Sequence, residues 1–136
     1  MRSGMSGAHA EQYPTAGSIS ASISNAVVRL MSEYTGRGAT KARTHLHDDL
    51  VTVVLRDTLT KGEISLVSDG KGDLVLQMRH AYQATMREDL VAAVEMLTGR
   101  TVTAFLSANH IDPDIAIESF VLEPRPVDDP PAADAS

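Results

Sequence analysis

Apolar residues recur every three or four positions at the start of the chain: Ile19, Ile23, Ala26, Val27, Leu30, Met31 and Tyr34. That period gathers them on one side of a helix, with Ser18 or Ser20 as its cap and Gly36-Arg37-Gly38 as its stop. The rhythm then changes. Between Lys41 and His47, Ala42, Thr44 and Leu46 alternate with Arg43, His45 and His47, a strand period of two. Residues 50–56 are β-branched and more apolar, as in a central strand, and His47-Asp48-Asp49 is short enough to close a hairpin. A second helix opens near Asp57 and Thr58, where Thr60 and Glu63 have capping-box spacing and Leu59, Leu66 and Val67 supply an apolar face. After Gly70 and Gly72 a long helix is expected over 73–98, burying Leu74, Met78, Ala81, Tyr82, Thr85, Ala93, Val94 and Leu97, with Gly99 as its terminator. Two further strands, 101–107 and 115–122, flank a turn at Asn109-His110-Ile111-Asp112-Pro113-Asp114.

The order α-β-β-α-α-β-β predicts an α+β fold: a four-stranded, mostly antiparallel sheet with helices packed on one face. Strand order is left open. One domain over 18–122 is expected, between a Gly/Ala/Ser-rich tail at 1–17 and a Pro/Asp-rich tail at 123–136, both disordered. Aromatics are 4% of the chain and Trp is absent, so the core must be aliphatic. With no cysteine, thiolate chemistry and disulfides are excluded. No apolar run reaches the ~18 residues of a membrane span, and 1–17 lacks a signal-peptide core, which points to the cytoplasm. The net charge is −6, half of it in the C-terminal tail. No basic excess or stripe favours nucleic acid.

Three polar clusters are candidate sites. Arg56, Thr58, Lys61 and Glu63 lie where a strand end meets a helix N-terminus, whose amides and cations suit an anion or small ligand; a capped helix start is the structural alternative. His45 and His47 share a strand face beside Asp48 and Asp49, and Asn109, His110, Asp112 and Asp114 crowd a turn. Both groups are candidate metal ligands, or else a solvated strand face and ordinary turn chemistry. Arg79, Gln83 and Arg87, spaced by four on the long helix, are a candidate partner face. No serine sits in a nucleophile-elbow context, so no catalytic residue is assigned and no cofactor is expected.

Four stretches carry a family likeness: Ile23-Ser24-Asn25, Asp57-Thr58-Leu59-Thr60-Lys61-Gly62-Glu63, Arg87-Glu88-Asp89-Leu90 through Leu97-Thr98-Gly99-Arg100, and Glu118-Ser119-Phe120-Val121-Leu122. Over these the chain resembles the YbcI-like or MpsC-like family of small bacterial proteins, across roughly residues 18–122. The resemblance implies a small soluble component of a membrane-potential-generating, sodium- or bicarbonate-linked system, and no catalytic residue. The expectation is therefore a non-catalytic accessory or regulatory module with a protein partner, in a membrane complex that it joins peripherally, and itself a homodimer. The alternatives are a small-molecule, anion or metal-ion sensor and, behind these, a small metal-dependent hydrolase.

Overall fold

In the computed structural model, which describes residues 15–37 and 41–126, the elements follow the expected order. They are α1 (Ala16–Thr35), β1 (Lys41–His47), β2 (Leu50–Arg56), α2 (Lys61–Ser68), α3 (Gly72–Thr98), β3 (Val102–His110) and β4 (Ile115–Leu122). The sheet order is β1-β2-β4-β3, with every neighbouring pair antiparallel. No helix among the described residues is long and apolar enough to cross a membrane.

Helix α1 starts earlier than the serines suggest, because the Thr15 side chain accepts from the Ser18 amide and caps it. Residues 16 and 17 are thus helical, a correction to the expected tail boundary. Residues 123–126 carry no regular structure, and the rest of the two expected tails lies outside the described residues. Ile23, Ala26, Val27, Leu30 and Met31 are buried as the period requires. Tyr34 stays exposed and donates from its hydroxyl to Asp89 Oδ2.

Alternation along the strands gives the sheet two faces of different character. The inner face is built in rows: Leu46, Val51, Phe120 and Phe105; then Thr44, Val53, Glu118 and Ser107; then Ala42, Leu55, Ala116 and Asn109. Val51, Val53, Leu55, Ala116 and Phe120 are fully buried there against α1 and α3. Each large side chain so buried stabilises the fold by ~1.5–3 kcal/mol. A register shift between Val102 and Ala104 places one extra residue, Thr103, in β3. Without it the alternation after Val102 would turn Phe105, Ser107 and Asn109 outward; with it they face the core.

The long helix departs from the expected stripe. Its buried positions are Val75, Arg79, Gln83, Met86, Leu90 and Val94, while Leu74 and Tyr82 are exposed at 44% and 41%. The inward face is rotated by about one residue, roughly 100°, from the one that apolar residues alone would choose. It admits Arg79 and Gln83 because both find complete hydrogen bonding inside.

Gly99 ends α3 at φ 69°, a left-handed conformation that suits glycine. The next residue, Arg100, donates to Asp48 O, Asp49 Oδ1 and Glu123 O. The Leu-Thr-Gly-Arg step thereby ties the helix end to the β1–β2 turn and the end of β4.

Candidate functional site

The α2 N-terminus forms the capping box that its spacing predicts. Thr60 Oγ1 accepts from the Glu63 amide, and Glu63 Oε1 accepts from the Thr60 amide. Glu63 also pairs with Arg79, which enters from α3. Arg79 Nε donates to Glu63 Oε2 at 3.0 Å and Nη2 to Glu63 Oε1 at 2.9 Å. Nη2 further donates to Thr58 O, and Nη1 to Thr58 Oγ1 and Asn109 Oδ1. All five guanidinium N–H groups are thereby taken.

One helical turn on, Gln83 and Asn109 exchange amide hydrogen bonds at 3.0 and 2.9 Å. Gln83 Nε2 also donates to Glu118 Oε2 at 3.1 Å. Asp114 joins from the β3–β4 turn, accepting from the Thr58 hydroxyl and the Leu59 amide. A continuous polar network thus runs from Asp114 through Thr58 to Arg79, which also holds Glu63, and on through Asn109 and Gln83 to Glu118.

Its two buried glutamates titrate in opposite senses. Burial works to raise the Glu63 pKa, but the Arg79 guanidinium and the Thr60 amide more than offset it and hold the group below its ordinary value. Glu118 is 1% exposed, and burial pushes it up to about 7, against the pull of Ser107, Gln83 and the charge on Arg79. Ser107 lies opposite it in the ladder, yet neither Ser107 Oγ nor Glu118 Oε1 closes a well-formed hydrogen bond.

Above this network opens a cleft of about 490 Å³ between the three helices. Met31 and Thr35 of α1 form one wall, Thr60, Gly62 and Leu66 another, and Met78, Tyr82 and Met86 of α3 the third. Thr58, Glu63, Arg79 and Gln83 lie along its floor.

The candidate residues therefore sort in a way that sequence spacing did not anticipate. Thr58 and Glu63, Arg79 and Gln83, and Asn109 and Asp114 come from three separate clusters and meet in one network. Arg56 and Lys61 point to solvent and do not line the cleft. Three amides at the start of α2 are already engaged within the protein: Leu59 N by Asp114, Thr60 N by Glu63 and Glu63 N by the Thr60 hydroxyl. Arg79 and Gln83 are buried while Arg87 is exposed, so the three form no exposed partner face.

The metal candidates also part company. His45 and His47 stand exposed on the outer sheet face, with His47 Nε2 3.4 Å from Asp48 Oδ2. Asn109 is a strand residue directed into the core, not a turn residue. Asp114 is engaged with Thr58, Asp112 is exposed, and His110 Nδ1 lies 2.8 Å from Pro113 O. Among the described residues, no three His, Asp or Glu side chains gather as a metal would require.

Glu118, which stands in one of the stretches of family likeness, and Ser107 are not among the candidate site residues that the sequence offers. The available signal was the phase of β4: Ala116, Phe120 and Leu122 set the core side, and Glu118 falls on it.

Residues 15–124 match the family MpsC, described as the Na+-translocating membrane potential-generating system. No curated protein and no solved structure matches the chain. The match spans most of the sequence, and the chain belongs to the MpsC family.

Proposed function

We propose that this MpsC-family chain is a non-catalytic accessory module that docks on a protein partner of a membrane-potential-generating system through the outer face of its sheet. The observation that carries this reading is the composition of that face. The strand register places its residues in four rows: His47, Leu50, Val121 and Ala104; His45, Thr52, Ser119 and Leu106; Arg43, Val54, Ile117 and Ala108; Lys41, Arg56, Ile115 and His110. Apolar side chains stand uncovered across β2, β4 and β3, with Leu50 43%, Ile117 37% and Leu106 58% exposed. Basic residues line the β1 side, and no carboxylate occurs in any row, although the chain holds 18 acids against 12 bases.

A partner with an apolar patch beside an acidic rim complements such a face. A shallow hollow of about 340 Å³, lined by Lys41, Ala42, Arg43, His45, Val54 and Arg56, would receive a carboxylate from that rim. A second copy placed face to face leaves the cations without acids, which favours a heterologous partner over a homodimer. No Phe, Tyr or Trp occurs in any of the four rows, so the face lacks the aromatic anchors of a membrane interface, which favours a protein surface over lipid.

Native mass spectrometry of the protein purified gently from its own cells tests the reading. The expected result is an assembly of fixed stoichiometry whose partner cross-links through its carboxylates to Lys41. Ile117→Glu should abolish it and Met96→Glu, on the exposed side of α3, should not. A homodimer lost in Ile117→Glu would assign the face to a second copy. Sedimentation with anionic vesicles would assign it to lipid, and a monomer indifferent to the substitution would reject a docking role.

A further inference from the structure

We propose that the cleft between α1, α2 and α3 is a binding site for an uncharged aromatic small molecule carrying one hydroxyl or carbonyl oxygen. It lies in the helical layer, on the opposite side of the sheet from the docking face, and stands or falls separately from it.

The size of the cleft selects the class of occupant. About 490 Å³ falls within the range of small-molecule pockets. Its floor excludes charge. Arg79 has no N–H left for an anion, and both Glu63 oxygens already accept from Arg79. An anion therefore finds no free guanidinium N–H, and a cation meets a carboxylate already neutralised by Arg79 in a pair whose side chains are 9% and 7% exposed. A neutral molecule leaves that pair intact.

The walls favour an aromatic ring. Met31, Met78 and Met86 contribute three polarisable thioethers, and sulfur–ring contacts are favourable. The protein spends little aromatic surface of its own there: its two Phe residues pack on each other at 5.1 Å in the sheet layer, and among the described residues only Tyr82 is an aromatic lining the cleft. One polar handle is available. Thr60 Oγ1 accepts from the Glu63 amide, which leaves its hydroxyl proton to donate to a ligand oxygen.

The test uses 2-naphthol as the neutral probe, with 2-naphthoate and 2-naphthylmethylammonium as charged counterparts, on full-length protein carrying ¹³C-methyl methionine. The expected result is that 2-naphthol shifts the methyl resonances of Met31, Met78 and Met86, leaves Met96 unmoved, and raises the melting temperature. Both ions should bind at least about tenfold more weakly, a difference near 1.4 kcal/mol. Met78→Trp should fill the cleft and abolish the shifts; if that variant fails to fold, Leu66→Phe takes its place. No shift with 2-naphthol, equal or tighter binding of either ion, or binding that survives in a folded cleft-filling variant would overturn the proposal.

Discussion

Arg79 holds three elements at once: its donors end on the loop before α2, on α2 itself and on β3. Its value lies in the geometry of the guanidinium fork, which an ammonium lacks. Arg79→Met, which leaves Glu63 charged and unpaired in a buried site, should therefore destabilise the protein by about 3–5 kcal/mol, as read from denaturant midpoints, and Arg79→Lys, which keeps the charge but loses the fork, by less. Glu118 makes a different prediction. Its folded pKa, about 7, stands above the ordinary 4.5, so the native state binds more protons than the unfolded one between those values. Its contribution to stability is full below pH 4.5 and is lost as pH rises through 7. Glu118→Gln keeps an acceptor for Gln83 and has no charge to bury. It should be more stable than the parent by about 1–3 kcal/mol above pH 7 and flatten the fall between pH 5 and 8. Glu63 has the opposite sign: its pKa is depressed, so its contribution is present above the ordinary carboxylate range and lost as pH falls through the lowered value. Parallel melts of Glu118→Gln and Glu63→Gln across pH separate the limbs.

The connections between elements are specified by a few side chains, and Asp114 is the most exposed to test. It accepts from Thr58 Oγ1 at 2.8 Å and Leu59 N at 2.9 Å, fastening the β3–β4 turn to the loop that precedes α2. Asp114→Ala leaves a part-buried hydroxyl and amide without their acceptor and should cost about 2–3 kcal/mol. Hydrogen exchange should show the loss first at Leu59 and along α2. Much of this layer was legible in the sequence. The capping box at Thr60 and Glu63, the glycine stop at Gly99 and the strands at 41–47, 50–56 and 115–122 are set by local chemistry and local period. The stripe of α3 was not, because an apolar count rejects Arg79 and Gln83, whose burial depends on Glu63, Asn109 and Glu118 far away in sequence. Likewise, the inward turn of Asn109 depends on the extra residue at Thr103, a matter of pairing with β4 rather than of composition. The site was thus legible as six of its residues and illegible as one network.

At the scale of the whole molecule the sheet separates two surfaces with opposite demands. The outer face meets solvent with apolar and basic side chains and contains no acid, so its chemistry asks for a large, complementary surface. The helical side offers a small cleft whose polar floor is already satisfied, so it asks for a neutral molecule. The sheet itself lies between them, and its inner rows are packed without a shared titratable group other than Glu118. Effects at sites separated by more than about 7–10 Å with no common partner add to within about 0.5 kcal/mol. Ile117→Glu should therefore leave 2-naphthol affinity unchanged within about twofold, while a folded Met78→Trp should leave the partner assembly intact. A larger coupling in either direction would identify a path through the sheet. The residue positioned to carry it is Glu118, whose Oε2 meets Gln83 in the floor of the cleft and whose strand neighbours Ile117 and Ser119 belong to the outer face. Repeating the cycle with Glu118→Gln would then decide whether the coupling runs through its proton: a coupling that vanishes assigns it to Glu118, and one that persists assigns it to the backbone of β4.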